Sequence, residues 1–333
     1  MNTAWKKRLV AILKWAIVIL ILGWVIHELH QSRAQLTHYP WRFRYGWLGL
    51  SGLIYLLAYI PACAFWYLVM RSLGQRPRLY DTVRAYYIGH LGKYVPGKAM
   101  VVILRAGLVS GDHVRPGIAA VAVFFETLTM MAVGAFLSAV IIIVWFRGHP
   151  QQSLFTLTAV GMMCVAALPL HPPLFRFLAK KCGVGRGDPE IDVKLRGLNL
   201  GTLAVGWGLM SITWILLGAG LWATIRGIGF DPGGLLEHLP RFTAAVAMSL
   251  VLGFLTMIPG GFMVREWGLV QLLKLYFAAM LAGNAVGATD PDAVAIDPEA
   301  VALVIAAMQR LISILAELAA SAVLLPKRRR RNG

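Results

Sequence analysis

The chain has 333 residues, of which 58% are apolar or aromatic and only 14% are charged. Soluble domains are closer to half apolar and a quarter charged, so this composition excludes an ordinary soluble globule and a disordered chain. The formal net charge of +17 would indicate nucleic-acid binding only if the cations formed a basic face with interleaved aromatic residues. The cations lie instead in the gaps between apolar runs, as in polytopic membrane proteins. We therefore expect no nucleic-acid partner.

Six apolar runs reach the length of about 20 residues that a transmembrane helix requires. They cover residues 9–26, 47–70, 117–146, 153–170, 200–225 and 300–325. The first run follows three basic residues, as the core of a signal peptide does, but its far end lacks a small-residue cleavage site. We therefore interpret it as an uncleaved first span.

Two further apolar segments, 85–107 and 242–273, are each interrupted by a proline that is followed by glycine. The residues at the two breaks are Pro96, Gly97, Pro259, Gly260 and Gly261. Proline removes a helix donor and clashes with the preceding turn, whereas glycine accepts positive φ angles. Each break should therefore end one helix and reverse the chain, which predicts two helical hairpins folded into the membrane.

Lys and Arg are distributed unevenly between alternate loops. One set, comprising both termini and the segments 71–84, 105–115 and 171–199, carries 20 of them, whereas the opposite set carries six and includes an acidic loop at 288–299. The positive-inside rule assigns the first set to the cytoplasm. We expect the protein to lie in the inner membrane. The first hairpin would then enter and leave from the cytoplasmic side, and the second from the outer side.

The predicted order is span, span, hairpin, span, repeated with opposite orientation, and the two breaks are 163 residues apart. This order predicts an all-α polytopic membrane protein with about six full spans and two re-entrant hairpins in an inverted-topology repeat. Its single membrane domain would consist of residues 1–150, with a hairpin at 80–110, and 151–333, with a hairpin at 241–287. The two breaks are predicted to meet, because irregular backbone must be buried against protein or a wet cavity. The simpler alternative is that both Pro-Gly pairs are loop turns, and the second hairpin has arms long enough to cross completely.

Three motifs occur in this order: GHLGKYVPGKAMVVILRAGLVSG, VFFETLTMMAVG and LTMIPGGFMVREWGLVQLL. They resemble the transmembrane family named after lysylphosphatidylglycerol synthases, whose short members are called flippase-like. The resemblance spans nearly the whole chain. It implies that the protein moves aminoacylated or otherwise modified lipids between leaflets. Larger members add a soluble aminoacyl-transferring domain after the membrane part, and we expect this chain to lack it because it ends at KRRRRNG.

Charged side chains inside the apolar segments are the candidate substrate-binding residues, because a charge at membrane depth is costly unless it is paired or solvated. The first hairpin contributes His90, Lys93, Lys98 and Arg105. A broken helix also exposes unpaired N–H groups, so this region suits a lipid phosphate. The alternative is that Lys93 and Arg105 extend to the headgroup region as topology anchors.

The second hairpin and two spans add Arg265, Glu266, Glu126 and Arg310. Because Arg265 and Glu266 are adjacent, they must point to different sides of a helix, so one should face a cavity and the other should pair elsewhere. The resemblance implies an arginine directly after Glu126, where this sequence has threonine. We therefore expect its partner to be Arg265 or Arg310. Arg310 and Glu317 are seven residues apart on one helix face and could form a structural polar seam.

The sequence contains no P-loop, no nucleophile elbow and no paired-carboxylate arrangement, and its eight histidines lack metal-ligand spacing. We therefore expect no cofactor and no metal, and we interpret the protein as a lipid translocator rather than an enzyme, with anionic membrane lipids as partners. Two alternatives remain open. One is a membrane-embedded lipid-modifying or lipid-linked-sugar transferase or its accessory subunit, and the other is a secondary transporter of a small solute.

Overall fold

The computed structural model describes residues 42–95, 99–145, 152–167, 174–175, 177, 197–256, 259–285 and 297–325. Apart from one isolated β-bridge between Gly111 and Val114, every regular element in these ranges is a helix. The predicted first span at 9–26 lies outside the described residues, as do Pro96, Gly97 and Lys98. The predicted all-α class is confirmed for the part that the structure describes.

Nine α-helices fall within these ranges. In chain order they are α1 (Tyr45–Ser72), α2 (Leu79–His90), α3 (Ala99–Val109), α4 (Pro116–Trp145), α5 (Gln152–Ala167), α6 (Leu200–Gly227), α7 (Leu235–Leu255), α8 (Val264–Ala285) and α9 (Pro298–Leu324). Two short 3₁₀ helices, Leu91–Tyr94 and Pro259–Gly261, lie beside the first break and at the second.

Five of the described helices are long and apolar enough to cross a membrane, namely α1, α4, α6, α7 and α9. Four of them correspond to predicted spans, so the multi-pass prediction is confirmed. The predicted spans and the helices that are long enough to cross a membrane do not correspond in every case. Helix α7 had been assigned to the second hairpin, whereas α5, predicted as a span at 153–170, has only 16 described residues and falls short of that length.

Helices α2 and α3 run antiparallel to each other with their backbones in contact. A Cβ atom on Gly92 would lie 2.7 Å from the backbone nitrogen of Val101, which leaves space for glycine alone. At the other end of the pair, the N–H of Arg76 donates to the carbonyl of His113 at 3.2 Å. The segments that enter and leave this hairpin therefore lie side by side at one end of the molecule.

Helices α7 and α8 form a second antiparallel hairpin with longer arms. Near the break, a Cβ atom on Gly253 would lie 3.1 Å from the Cα atom of Gly261, and farther along the rings of Phe242 and Tyr276 are 5.1 Å apart. Gly260 and Gly261 have φ angles of 62° and 65°. Glycine adopts this left-handed conformation without steric cost, which explains how the chain reverses here.

The two hairpins open at opposite ends of the molecule. The first opens where α1 finishes, since the side chain of Gln75 accepts a hydrogen bond from the N–H of Arg115 at 2.8 Å. The second opens where α1 begins and α6 ends, because the N–H of Arg44 bonds the carbonyl of Gly227 at 2.8 Å and the loop after α6 leads directly into α7.

The second break contacts the end of the first hairpin's leading arm. A Cβ atom on Gly260 would lie 3.5 Å from the carbonyl oxygen of Lys93 and 3.7 Å from the ring of Tyr94. These two residues immediately precede the first break. Because Pro96 and Gly97 lie outside the described residues, the prediction that the two breaks meet stays a prediction.

Polar side chains surround the open end of the second hairpin. The ammonium group of Lys274 is 3.4 Å from a carboxylate oxygen of Glu299, and Arg226 hydrogen-bonds Asp231 at 2.7 Å. The hydrogen bond from Arg226 holds the pKa of the exposed Asp231 carboxyl below its ordinary value. This end of the molecule therefore carries the ion pairs expected where helices leave an apolar environment.

Candidate functional site

A cavity of about 350 Å³ lies between the two hairpins and α4. Most of its wall is apolar, and the side chains of α4 and α7 that form this wall include Val123, Leu128, Met131, Leu250 and Phe254. Its polar side chains come chiefly from the two hairpins and include five of the predicted site residues: His90, Lys93, Arg105, Glu126 and Arg265. Gly260 and Gly261 of the second break also line it. The cavity thus combines an apolar wall with a cluster of buried charges.

The Arg105 and Glu126 side chains form a buried ion pair on this wall. They are 2.9 Å apart and only 4% and 2% exposed, so Arg105 does not extend to the headgroup region. The expectation that Glu126 pairs with Arg265 or Arg310 was wrong. The antiparallel hairpin places α3 beside α4, which brings Arg105 to Glu126. The Arg105 guanidinium also lies 3.1 Å from Nδ1 of His90 and 3.8 Å from the centre of the Tyr86 ring.

Lys93 forms the second ion pair, with Glu317 of α9. The Glu317 carboxylate also accepts a hydrogen bond from the Tyr55 hydroxyl, and Nε2 of His90 is 3.8 Å from the same carboxylate oxygen. Lys93 is therefore tied to α9 immediately before the first break. Glu317, treated from sequence as part of a structural seam, fixes this end of the hairpin.

Arg310 contacts both hairpins near their breaks. It donates to the carbonyl of Gly260 at 3.3 Å and lies 3.6 Å from the Glu266 carboxylate. Its guanidinium carbon is 5.2 Å from the ring centres of both Tyr94 and Phe262. Because Tyr94 precedes the first break and the other three residues lie at or after the second, Arg310 holds the two hairpins together. It does not line the cavity.

Arg265 has a different environment from the other buried cations. It is 7% exposed and lines the cavity, but it makes no hydrogen bond and no ion pair with any residue that the structure describes. The neighbouring Glu266 points away to Arg310, as their adjacency in sequence requires. The described cluster therefore contains four cations and three carboxylates, and Arg265 is the cation that has no carboxylate within ion-pair distance.

The cavity reaches the outer surface of the molecule beside α4. Phe124 and Val95 both line it and are 53% and 40% exposed. Phe124 lies eight residues after the start of α4, roughly 12 Å along the helix. The opening is therefore on the apolar flank of the helices rather than at their polar ends.

Several polar contributors to the site were missed from sequence. Tyr55 and Tyr59 of α1, Tyr86 of α2 and Thr127 of α4 contact the charged residues or line the cavity. The sequence spacing could have indicated Tyr55 and Tyr59, because tyrosines four residues apart within an apolar run lie on one helix face. Lys98, Pro96 and Gly97 cannot be compared with their predicted roles because they lie outside the described residues.

Together the fold and the cavity define an all-helical, multi-pass membrane protein with a buried charged site between two helical hairpins. Residues 11–289 match the family described as Lysylphosphatidylglycerol synthase TM region, and the chain belongs to this family. The family indicates a membrane protein involved in lipid handling. The matched range includes both breaks and Arg265 but ends before α9, which supplies Arg310 and Glu317. No curated protein compared with the chain matches it.

Proposed function

We propose that this protein translocates a lipid with an anionic headgroup between the leaflets of the inner membrane. The observation that carries the proposal is Arg265, a buried cation that lines a cavity with apolar walls and has no ion-pair partner among the described residues. A buried charge is strongly disfavoured until an opposite charge approaches it. A lipid phosphate would supply that charge, while the acyl chains leave through the opening beside Phe124 and stay in the bilayer.

The other charged residues have a supporting role in this proposal. Lys93, Arg105 and Arg310 are each already paired with a carboxylate. They hold the two hairpins and α4 in the geometry that forms the cavity. His90 and Glu126 complete the polar wall, and Arg265 is the residue that binds the headgroup.

The helix lengths support a re-entrant arrangement of the first hairpin. The 12 residues of α2 and 11 of α3 extend about 18 and 16 Å, roughly half of a 30 Å hydrocarbon core. In the second hairpin, the full lengths of α7 and α8 are 21 and 22 residues, enough to cross completely. Its re-entrant arrangement rests on the apolar part of α7, which begins after Arg241 and whose 14 residues 242–255 extend about 21 Å to the break. Two such hairpins from opposite sides, with the spans around them, make the inverted repeat with halves 1–150 and 151–333.

The opening beside Phe124 lies nearer to the start of α4 than to its end. In the proposed orientation, which follows from the excess of Lys and Arg on one side, the start of α4 faces the cytoplasm. The cavity is then open toward the inner leaflet in this conformation, and the lipid enters sideways from that leaflet.

Cysteine labelling tests the orientation. In a background without Cys63, Cys164 and Cys182, we expect Asp188→Cys to react with an impermeant reagent only from the cytoplasmic side, and Asp292→Cys only from the outer side. The expectation follows from the 20-to-6 distribution of Lys and Arg and the acidic loop at 288–299. Labelling of position 292 from the cytoplasmic side alone would refute the inverted repeat.

Reconstitution tests the function. We expect proteoliposomes containing the purified protein to exchange a fluorescent anionic phospholipid between leaflets faster than protein-free vesicles, as measured by quenching of the outer leaflet with a membrane-impermeant reductant. The transferase and solute-transporter alternatives predict no such acceleration. An exchange rate equal to that of protein-free vesicles would contradict lipid translocation.

A further inference from the structure

The cavity has one lining carboxylate among the described residues, Glu126, and both of its oxygens are already in use. One oxygen accepts a hydrogen bond from the Tyr86 hydroxyl at 3.0 Å. The other is 2.9 Å from Nη1 of Arg105 and 3.3 Å from the Thr127 hydroxyl. The negative charge of the described carboxylate on this wall is therefore already neutralised by Arg105.

The other two carboxylates of the cluster lie behind the cations that they neutralise. Glu317 is paired with Lys93 and Glu266 with Arg310, and neither carboxylate lines the cavity. The residues at the two breaks that the structure does not describe are Pro, Gly and Lys at 96–98, and Met and Ile at 257–258, so their sequence adds no carboxylate. Any further charge from these segments is positive.

Aromatic faces are the other way in which proteins bind an ammonium group. The two tyrosines that line the cavity are engaged elsewhere. The ring of Tyr86 carries the Arg105 guanidinium 3.8 Å from its centre, and the ring centre of Tyr59 is 4.5 Å from that of His90. Among the described residues, the polar part of the cavity therefore has three lining cations and one lining carboxylate, which is already paired with Arg105.

Arg265 gives the same cavity a strong preference for the opposite charge. Its guanidinium is buried, faces the cavity and has no partner among the described residues. An arginine fork matches the geometry of phosphate oxygens and can bind two of them at once. The volume of about 350 Å³ is at the lower end of the usual range for small-molecule pockets, so it takes a headgroup rather than whole acyl chains.

We infer that this cavity selects lipids whose headgroup is an anionic phosphate without an ammonium group, and that it rejects zwitterionic and aminoacylated lipids. The inference rests on the proposed function and specifies its substrate class. A phosphate neutralises Arg265 and completes the charge balance of the cluster. An added ammonium group would meet the excess positive charge of Arg265, while Arg105 and Lys93 already occupy the carboxylates beside them, so it would be excluded from the site.

The test compares four fluorescent lipids in proteoliposomes of one lipid composition: phosphatidylglycerol, phosphatidylethanolamine, lysyl-phosphatidylglycerol and a polyprenyl phosphate. We expect at least one of the two ammonium-free lipids to exchange at least about tenfold faster than either ammonium-bearing lipid. Comparison of the two ammonium-free lipids shows whether a glycerophospholipid or a polyprenyl lipid supplies the phosphate. If an ammonium-bearing lipid exchanges as fast as the better of the two, the inference is overturned while translocation stands. If no lipid is exchanged, the proposed function itself fails.

Two variants test whether Arg265 causes the preference for lipids without an ammonium group. Arg265→Gln is expected to reduce the rate ratio of phosphatidylglycerol to phosphatidylethanolamine toward one, whereas Arg265→Lys keeps the charge and retains most of the ratio. Arg71→Gln is the matched control, because Arg71 is exposed on the last turn of α1 and does not line the cavity. An unchanged ratio in Arg265→Gln would show that another group selects the headgroup. The wild-type comparison decides the substrate class even if a variant does not fold.

Discussion

Replacing Arg265 with glutamine is expected to reduce the translocation of an anionic lipid by roughly ten- to a hundredfold, because a hydrogen bond to a charged group is worth about 1.5–3 kcal/mol. The measurement is leaflet exchange of the fluorescent lipid in proteoliposomes. Glutamine retains hydrogen-bond donors and much of the side-chain length, so the change mainly removes the charge. Arg71→Gln, the same substitution at an exposed site, is expected to leave the rate unchanged.

The same variant is expected to be at least as stable as the wild type, although most substitutions of buried residues lower stability. Burial of an unpaired cation opposes folding, and Arg265 has no partner among the described residues. We therefore expect the apparent Tm of Arg265→Gln in detergent to equal or exceed that of the wild type. Arg310→Gln is the matched comparison, since it removes contacts to Gly260 and Glu266 and should lower the Tm.

Two results would contradict this account of Arg265. A large fall in Tm would show that Arg265 has a structural partner. Full translocation activity in a folded Arg265→Gln protein would show that the headgroup is bound elsewhere. Lys98 is the alternative that the sequence itself suggests, and its predicted role stays a prediction because it lies outside the described residues. Lys98→Gln in the same assay tests it.

The positions of four long helices and of the second break could be predicted from sequence because both follow from local rules. Runs of apolar residues predicted α1, α4, α6 and α9 to within a few residues. The glycines after Pro259 predicted the chain reversal there, because glycine accepts the positive φ angles that the structure has at both positions.

Helix α7 shows where local rules were not sufficient. Its first residues, LLEHLPR, are polar and contain Pro240, and from sequence they were left outside the second hairpin's apolar segment. In the structure the ring of His238 packs 5.4 Å from Tyr276 of α8, and the helix begins at Leu235. Tertiary packing thus overrides the unfavourable helix propensity of this segment.

The charged site residues could be identified from sequence, but not their partners. A charged side chain inside an apolar run is informative by itself, because its burial is costly. Its partner depends on which helices are neighbours and on their register. The Lys93–Glu317 pair joins residues 224 positions apart, and the Arg105–Glu126 pair depends on how the first hairpin packs against α4. No spacing rule within one helix contains this information.

Breaking the Arg105–Glu126 pair from one side is expected to cause the largest loss of stability among these variants. Glu126→Gln leaves the Arg105 guanidinium buried without a counter-charge, and breaking a buried ion pair from one side costs about 3–5 kcal/mol. We expect the apparent Tm in detergent to fall by roughly 5–10 °C. Glu237→Gln is the matched control, because the Glu237 side chain is 72% exposed, and its Tm should remain close to that of the wild type.

The double variant Arg105→Gln/Glu126→Gln separates the structural contribution of this pair from a direct role in lipid binding. It removes both charges together, so neither ion is left uncompensated, and most of the lost stability should return. The net charge of the cluster does not change, and Arg265 remains the cation without a counter-charge. Translocation of the anionic lipid should therefore recover together with the Tm. A double variant that is stable but inactive would instead show that Arg105 or Glu126 contacts the headgroup, which would extend the binding site from the second hairpin to the first.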